Sequence, residues 1–186
     1  MICMNVAPKF QTDKYASGLI EEYESMFAKS EKVKYLEIGI WKGGSLRWAA
    51  DYFHPQSLIA GIDRELPYDE FPKNIVMHMA DQSDEDKLKR IAGLYHDIDI
   101  VIDDGCHFAK ETGNTWNAFW PRVRQGGIYI IEDWGAAYCH KDKEQYEGMP
   151  KLITALMLLK QDFNKITNMK IVHNDNGMSY AAFWKG

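Results

Sequence analysis

Apolar residues recur along the chain with two alternating periods. Short runs rich in Val, Ile, Leu and Tyr lie at 33–38 (VKYLEI), 57–63 (SLIAGID), 74–80 (NIVMHMA), 98–103 (IDIVID) and 127–132 (GIYIIE). Their length and β-branched content predict strands. Between them lie stretches with helical spacing at 12–29, 44–53, 83–96, 111–120 and 150–163. In the first, Leu19, Ile20, Tyr23, Met26 and Phe27 share one face behind a Thr12 or Asp13 cap. The second is stopped by His54-Pro55, and the fourth is broken at Pro121. The third starts at Ser83 with acidic residues in its first turn, as the helix dipole favours. Near the end, MKIVHN and MSYAAFWK flank the turn signal DNG and predict a closing antiparallel pair.

Strands alternating with helices predict a doubly wound α/β sheet. In such sheets ligands bind outside the carboxyl ends of the strands. Residues 1–186 read as one domain, with an N-terminal helical segment over 1–30 and a polar stretch at 135–149 that suits a lid or substrate loop. No repeat, linker or low-complexity stretch interrupts it.

Charge narrows the function classes. The formal net charge is −5 and Lys/Arg are scattered, so no nucleic-acid footprint is expected. No apolar run is long enough to span a membrane, and MICMNVAPKF is too interrupted for a signal peptide. The cysteines Cys3, Cys106 and Cys139 form no CxxC pair, which argues against structural zinc or a disulfide framework. A cytoplasmic protein with a small-molecule partner is expected. Aromatic residues near the termini leave a homodimer open.

The candidate chemistry sits at the predicted strand ends. YLEIGIWKGGS places Glu37, Gly39 and Gly43 after the first strand. Lys42 precedes the glycines, so this is no phosphate-binding P-loop, and no GxGxxG is present. An acidic residue there repels a diphosphate and suits a cationic or hydroxyl-rich ligand. Asp63 ends the second strand, where a carboxylate can accept from ribose hydroxyls. Asp81 and Gln82 follow the third strand and could meet an adenine edge, although Ser83 and Asp84 are explained as a helix cap. DDGCH brings Asp103, Asp104 and His107 together after the fourth strand, and Glu132 and Asp133 follow the fifth. Each residue alone reads as a turn or cap carboxylate. As a set on neighbouring strands about 4.8 Å apart they repel unless a cation neutralises them, and an oxygen-rich set favours Mg²⁺. His107 is then placed as a general base. Cys106 reads as a small turn residue, because no oxyanion device accompanies it.

YLEIGIWKGGS, GIDR, DQSD, IVIDDGCH and GGIYIIEDW, in this order, resemble the class I S-adenosylmethionine-dependent methyltransferases. They resemble most the metal-dependent macrolide sugar O-methyltransferases, with the cephalosporin-hydroxylase-like proteins close by. TDKY near the start matches as well, and the resemblance covers roughly residues 12–134. It implies a Rossmann-like sheet of seven strands with the last antiparallel. It implies S-adenosyl-L-methionine held by Glu37, Gly39, Gly43, Asp63, Asp81, Gln82 and Asp103, with Thr12, Asp13 and Lys14 closing over cofactor or substrate. It carries Mg²⁺ onto Asp104, Glu132 and Asp133 and the base onto His107. The implied reaction is methyl transfer to a hydroxyl of a sugar or natural-product acceptor. Cys106 stands where the family usually has serine, and no counterpart of some members' extra N-terminal domain is expected. A hydroxylase-like enzyme or a non-catalytic cofactor module on the same scaffold stays open, since fold does not fix chemistry.

Overall fold

The computed structural model describes residues 10–139, 143–158, 166–174 and 178–186. The expected doubly wound sheet is present. Strands β1 (Lys34–Ile38), β2 (Leu58–Asp63), β3 (Ile75–Met79), β4 (Ile98–Asp103), β5 (Val123–Glu132), β6 (Ile166–His173) and β7 (Ser179–Lys185) form one sheet in the order β3-β2-β1-β4-β5-β7-β6. β1 to β5 are parallel to one another, and β7 runs antiparallel to both β5 and β6. The order reverses between β1 and β4, which opens a crevice at their carboxyl ends.

Period-2 alternation divides the core. Leu36, Val101, Tyr129 and Ile131 face one side, where they meet α4 (Glu85–Ala92), α5 (Ala109–Phe119) and α7 (Gly148–Leu158) through Leu88, Phe119 and Ile153. Tyr35, Ile100, Ile128 and Ile130 face the other side, where α2 (Leu19–Met26) and α3 (Gly44–Tyr52) supply Ile20, Tyr23, Leu46 and Trp48. Because both faces are covered, the central strands read as continuous apolar runs.

Four expectations are corrected. The helix expected over 12–29 is two helices, α1 (Lys14–Ser17) and α2. Gly18 adopts φ 83° between them, a left-handed conformation that a glycine takes without steric cost. β5 starts at Val123 and not at residue 127, because Gly126 (φ 71°) sits in a register irregularity inside the strand and does not bound it. The fourth helix begins at Ala109 and passes into a 3₁₀ turn, Trp120–Arg122, that absorbs Pro121. Tyr180 and Phe183, near the carboxyl terminus, are buried in the sheet, so the expected aromatic exposure is not found there.

The segment 135–149 contains a short helix, α6 (Ala136–Cys139), and a 3₁₀ turn at Lys143–Tyr146. Residues 140–142, the end of the helix expected to 163, and the DNG turn lie outside the described residues. Among the described residues no helix is long and apolar enough to cross a membrane.

Candidate functional site

The carboxyl ends of β1, β2, β4 and β5 and the loop after β3 enclose a cavity of about 530 Å³. That is within the range of small-molecule and cofactor sites. Its lining includes Gly39, Trp41, Asp63, Asp81, Asp104, His107 and Asp133. The strand-end rule therefore gathered the right segments into one place.

At one end the wall is backbone. Gly39 turns at φ 88°, and a Cβ there would meet the Asp104 carbonyl oxygen at 1.9 Å. Only glycine lets the β1 and β4 loops approach so closely. Asp63 Oδ2 accepts from Ile40 N (2.7 Å) and Trp41 N (3.0 Å), and its Oδ1 accepts from Glu65 N (3.2 Å). A carboxylate has about four lone-pair sites, so Asp63 both shapes the loop and keeps acceptor capacity on the cavity wall. Asp81 Oδ1 accepts from Ser83 N (2.8 Å) and Ser83 Oγ (2.7 Å), which holds its carboxyl below the usual range. Gly43 (φ 73°) lies beneath the Phe71 ring and off the cavity wall.

Two residues assigned to the cofactor spend their side-chain polar atoms on bonds within the fold. Asp103 is buried on the α5 side, where it accepts from Thr115 Oγ1, Gln82 Nε2 (3.0 Å) and Tyr129 OH (3.1 Å). Burial pushes its carboxyl up to about 6. The Gln82 side chain is spent on the loop, since its Oε1 accepts from Cys106 N at 2.7 Å. Gln82 thus links the β3 and β4 loops, and only part of it lines the cavity.

The other end is a cluster of charges. Asp104, His107 and Asp133 each offer one ligand atom, all within 4.8 Å of one another. His107 Nε2 stands 3.7 Å from Asp104 Oδ1 and 3.9 Å from Asp133 Oδ2. Both are too long for hydrogen bonds, and both are close to what two ligands span across a common small cation (at most about 4.2 Å). His107 (φ 58°) and Asp133 (φ 52°) both take left-handed backbone, which costs non-glycine residues of the order of 1 kcal/mol or more. Such strain clusters at functional sites.

Glu132 and Glu37 are set deeper. Lys14, only 2% exposed, donates from Nζ to both Glu132 oxygens at 2.7 Å and to Asp104 Oδ2, and stands 3.7 Å from Glu37 Oε1. Tyr23 OH also donates to Glu132 Oε1, and Tyr35 OH donates to Glu37 Oε2 at 3.1 Å. Burial opposes the Lys14 charge, but Asp104, Glu132 and Glu37 together hold its ammonium well above the ordinary lysine range. Burial pushes Glu37 up to about 7, and burial with the Asp104 charge pushes Glu132 upward. Burial likewise raises Asp133, against the pull of His107. Among the described residues, the buried Glu37 Oε1 finds no hydrogen-bond partner. Of the opening motif, Lys14 enters the carboxylates, Asp13 lines the cavity, and Thr12 Oγ1 accepts from Lys14 N at 3.3 Å.

The donor set fits a divalent cation. Three carboxyl groups, Asp104, Glu132 and Asp133, are set around the single ammonium of Lys14, and Asp104, His107 and Asp133 already converge. Sequence reasoning missed Tyr23, Thr115 and Tyr129. Each lies on a face that reads as core, and only a phenol or hydroxyl at its tip signals another role.

The chain is similar to known proteins over most of its described length. The profile of the family described as "Methyltransferase domain" matches residues 36–134. The demethylmacrocin O-methyltransferase of Streptomyces fradiae is 40% identical over 117 residues, which are 59% of this chain and 29% of that protein. The mycinamicin VI 2''-O-methyltransferase of Micromonospora griseorubida is 34% identical over 157 residues, 80% of this chain and 39% of that one. The chain thus spans well under half the length of these relatives. Among solved structures, the MycE methyltransferase of the mycinamycin pathway, in complex with Mg, SAH and mycinamycin VI, superposes with a TM-score of 0.74 at 30% identity. That match covers 89% of this chain and 48% of MycE. The O-methyltransferase TomG from Streptomyces achromogenes, at 17% identity and a TM-score of 0.65, shares the fold.

Proposed function

From the premise that the chain belongs to the methyltransferase domain family, we propose that it is an S-adenosylmethionine-dependent, Mg²⁺-dependent O-methyltransferase acting on a hydroxyl of a small sugar or natural-product acceptor. The observation that carries this reading is that the Asp104 and Asp133 carboxylates stand together, with His107 facing both, in a cavity also lined by the Gly39 turn. MycE, bound to Mg, SAH and mycinamycin VI, supports the same pairing of groups.

The chain's own residues divide the work. The Gly39 turn gives close backbone approach for the cofactor, and Asp63 presents acceptor capacity to a ribose. Asp81 lies beside the base. Asp104 and Asp133, with Glu132 behind them, would hold the cation. When bound, S-adenosylmethionine supplies an electrophilic methyl and Mg²⁺ supplies positive charge that acidifies an acceptor hydroxyl. His107 Nε2, facing the gap between the two aspartates, takes the hydroxyl proton. Alignment in the crevice supplies much of the remaining acceleration, because the methyl group is already activated.

The test is turnover of S-adenosylmethionine against a panel of glycosylated acceptors with Mg²⁺, read as stoichiometric S-adenosylhomocysteine and methylated product. Asp104→Asn and His107→Gln are expected to lose at least about 100-fold in turnover. S-adenosylhomocysteine affinity should stay within about threefold, since both substitutions change side chains of the charge cluster and leave the Asp104 backbone against Gly39 as it is. Full turnover in both variants would sink the assignment.

A further inference from the structure

Lys14 stands where the proposed cation needs room. Both Glu132 oxygens and one Asp104 oxygen are engaged by its ammonium, and Tyr23 takes a further site on Glu132. A metal ion that used Asp104 and Glu132 together would have to take lone pairs that Lys14 now holds. It would also sit within a few ångströms of a buried positive charge, where little water screens the repulsion. Two cations therefore contend for one set of carboxylates.

We propose that Lys14 is a tethered stand-in for the divalent cation, and that metal binding expels its ammonium from Asp104 and Glu132. The inference rests on the metal reading above and adds a consequence for the chain. Lys14 is carried by α1, a single turn bounded by Gly18. α1 lies outside the sheet, so moving the Lys14 side chain breaks no strand pairing. The neighbouring Asp13 lines the cavity. Loading the metal thus moves a wall of the crevice. Without metal, the same ammonium holds the Asp104 and Glu132 side chains in place. Expulsion leaves Tyr23 on Glu132 and frees the Lys14 amine to solvent.

Two readouts on the full chain test this, with Mn²⁺ as the probe. The first is acetylation of Lys14 by acetic anhydride, followed by mass spectrometry against the exposed Lys42 as internal reference. Lys14 should be protected without metal and label at least tenfold faster when Mn²⁺ saturates the site. The second is Mn²⁺ affinity by calorimetry. Lys14→Met should bind at least tenfold more tightly than the native chain, and Lys14→Arg, which keeps the charge, within threefold of it. Continued protection of Lys14 in the Mn²⁺-saturated chain overturns the inference, as does an unchanged or weaker affinity in Lys14→Met. If Lys14→Met does not fold, labelling of the native chain decides alone. Mn²⁺ binding to neither chain overturns both this inference and the metal half of the proposed function. S-adenosylhomocysteine binding would then still report on the cofactor half.

Discussion

The two ends of the crevice are built from the same residue type in opposite ways. At the proposed cofactor end, Asp63 and Asp81 bond to backbone amides and a serine, and Asp81 is held below its usual range. At the proposed metal end, Glu132 is buried and pushed upward, as is Glu37, which was expected at the cofactor, and the two are wired to Lys14, Tyr23 and Tyr35. Backbone amides are fixed dipoles, so the first end is complete once the chain has folded. The second end is balanced by one buried ammonium, which we propose gives way to a divalent cation. Preorganisation suits recognition of one constant cofactor. An end held by a movable cation suits a site that loads.

The largest break in this comparison is expected where the β1 loop packs on the β4 loop. Gly39→Ala places a Cβ 1.9 Å from the Asp104 carbonyl oxygen at a φ of 88°. Backbone cannot retreat there without moving β1 away from β4. A loss of more than about 3 kcal/mol of stability is expected. S-adenosylhomocysteine binding should disappear in any folded fraction. Thermal unfolding and calorimetry check both, and a variant with native melting temperature and affinity would show that the Gly39 turn does not set the loop.

Glu37 sharpens the contrast through pH. Its folded pKa of about 7 lies above the unfolded value near 4.5, so the native state binds the extra proton. A raised carboxylate pKa gives stability that is present at low pH and lost as pH rises from about 4.5 to about 7. Metal-free chain should therefore melt lower at pH 8 than at pH 5. Glu37→Gln cannot ionise and should remove a slope worth about 3 kcal/mol, at about 1.4 kcal/mol per pKa unit. Melting curves across pH for both chains decide it. Parallel slopes would mean that Glu37 titrates normally and that Lys14 alone satisfies the cluster.

These residues also show what the sequence can disclose. Alternating apolar runs located every strand end that reaches the crevice, and the order of the acidic motifs fixed which loops meet. Alternation even held the answer for Asp103. It shares a face with Val101, so it points at α5 and Thr115 while Asp104 reaches the cavity. The place of Lys14 was not legible in periodicity. A lysine four residues before a glycine reads as an exposed helix start, and only the resemblance of TDKY marked it. The left-handed Gly18 aims Lys14 and Tyr23 at one carboxylate from two short helices, and that geometry leaves no trace in hydrophobic spacing. Tyr23 was placed on the buried face correctly, but its hydroxyl partner lies 109 positions away, at Glu132. Long-range polar pairing of this kind is set by tertiary packing and has no local signature.

The smallest expected effect tests whether the two ends are separable. Asp81 is exposed and its carboxylate serves one local turn through Ser83. Asp81→Ala removes those bonds without opening a cavity in the core, so stability should fall by only about 0.5–1 kcal/mol. The same variant should weaken S-adenosylhomocysteine by a few-fold, as expected for one hydrogen bond at the open end of a site. Its Mn²⁺ affinity should not change, because neither Lys14 nor any of the metal-end carboxylates touches it. Asp104→Asn should give the mirror image, with metal affinity lost and cofactor affinity kept. Calorimetric titration of both ligands into both variants fills a two-by-two comparison. If Asp81→Ala weakened Mn²⁺ as much as it weakened S-adenosylhomocysteine, the ends would be coupled through the Gln82 bridge between the β3 and β4 loops. Gln82, bonded to Asp103 on one side and to Cys106 N on the other, would then carry the coupling that Asp81 only reports.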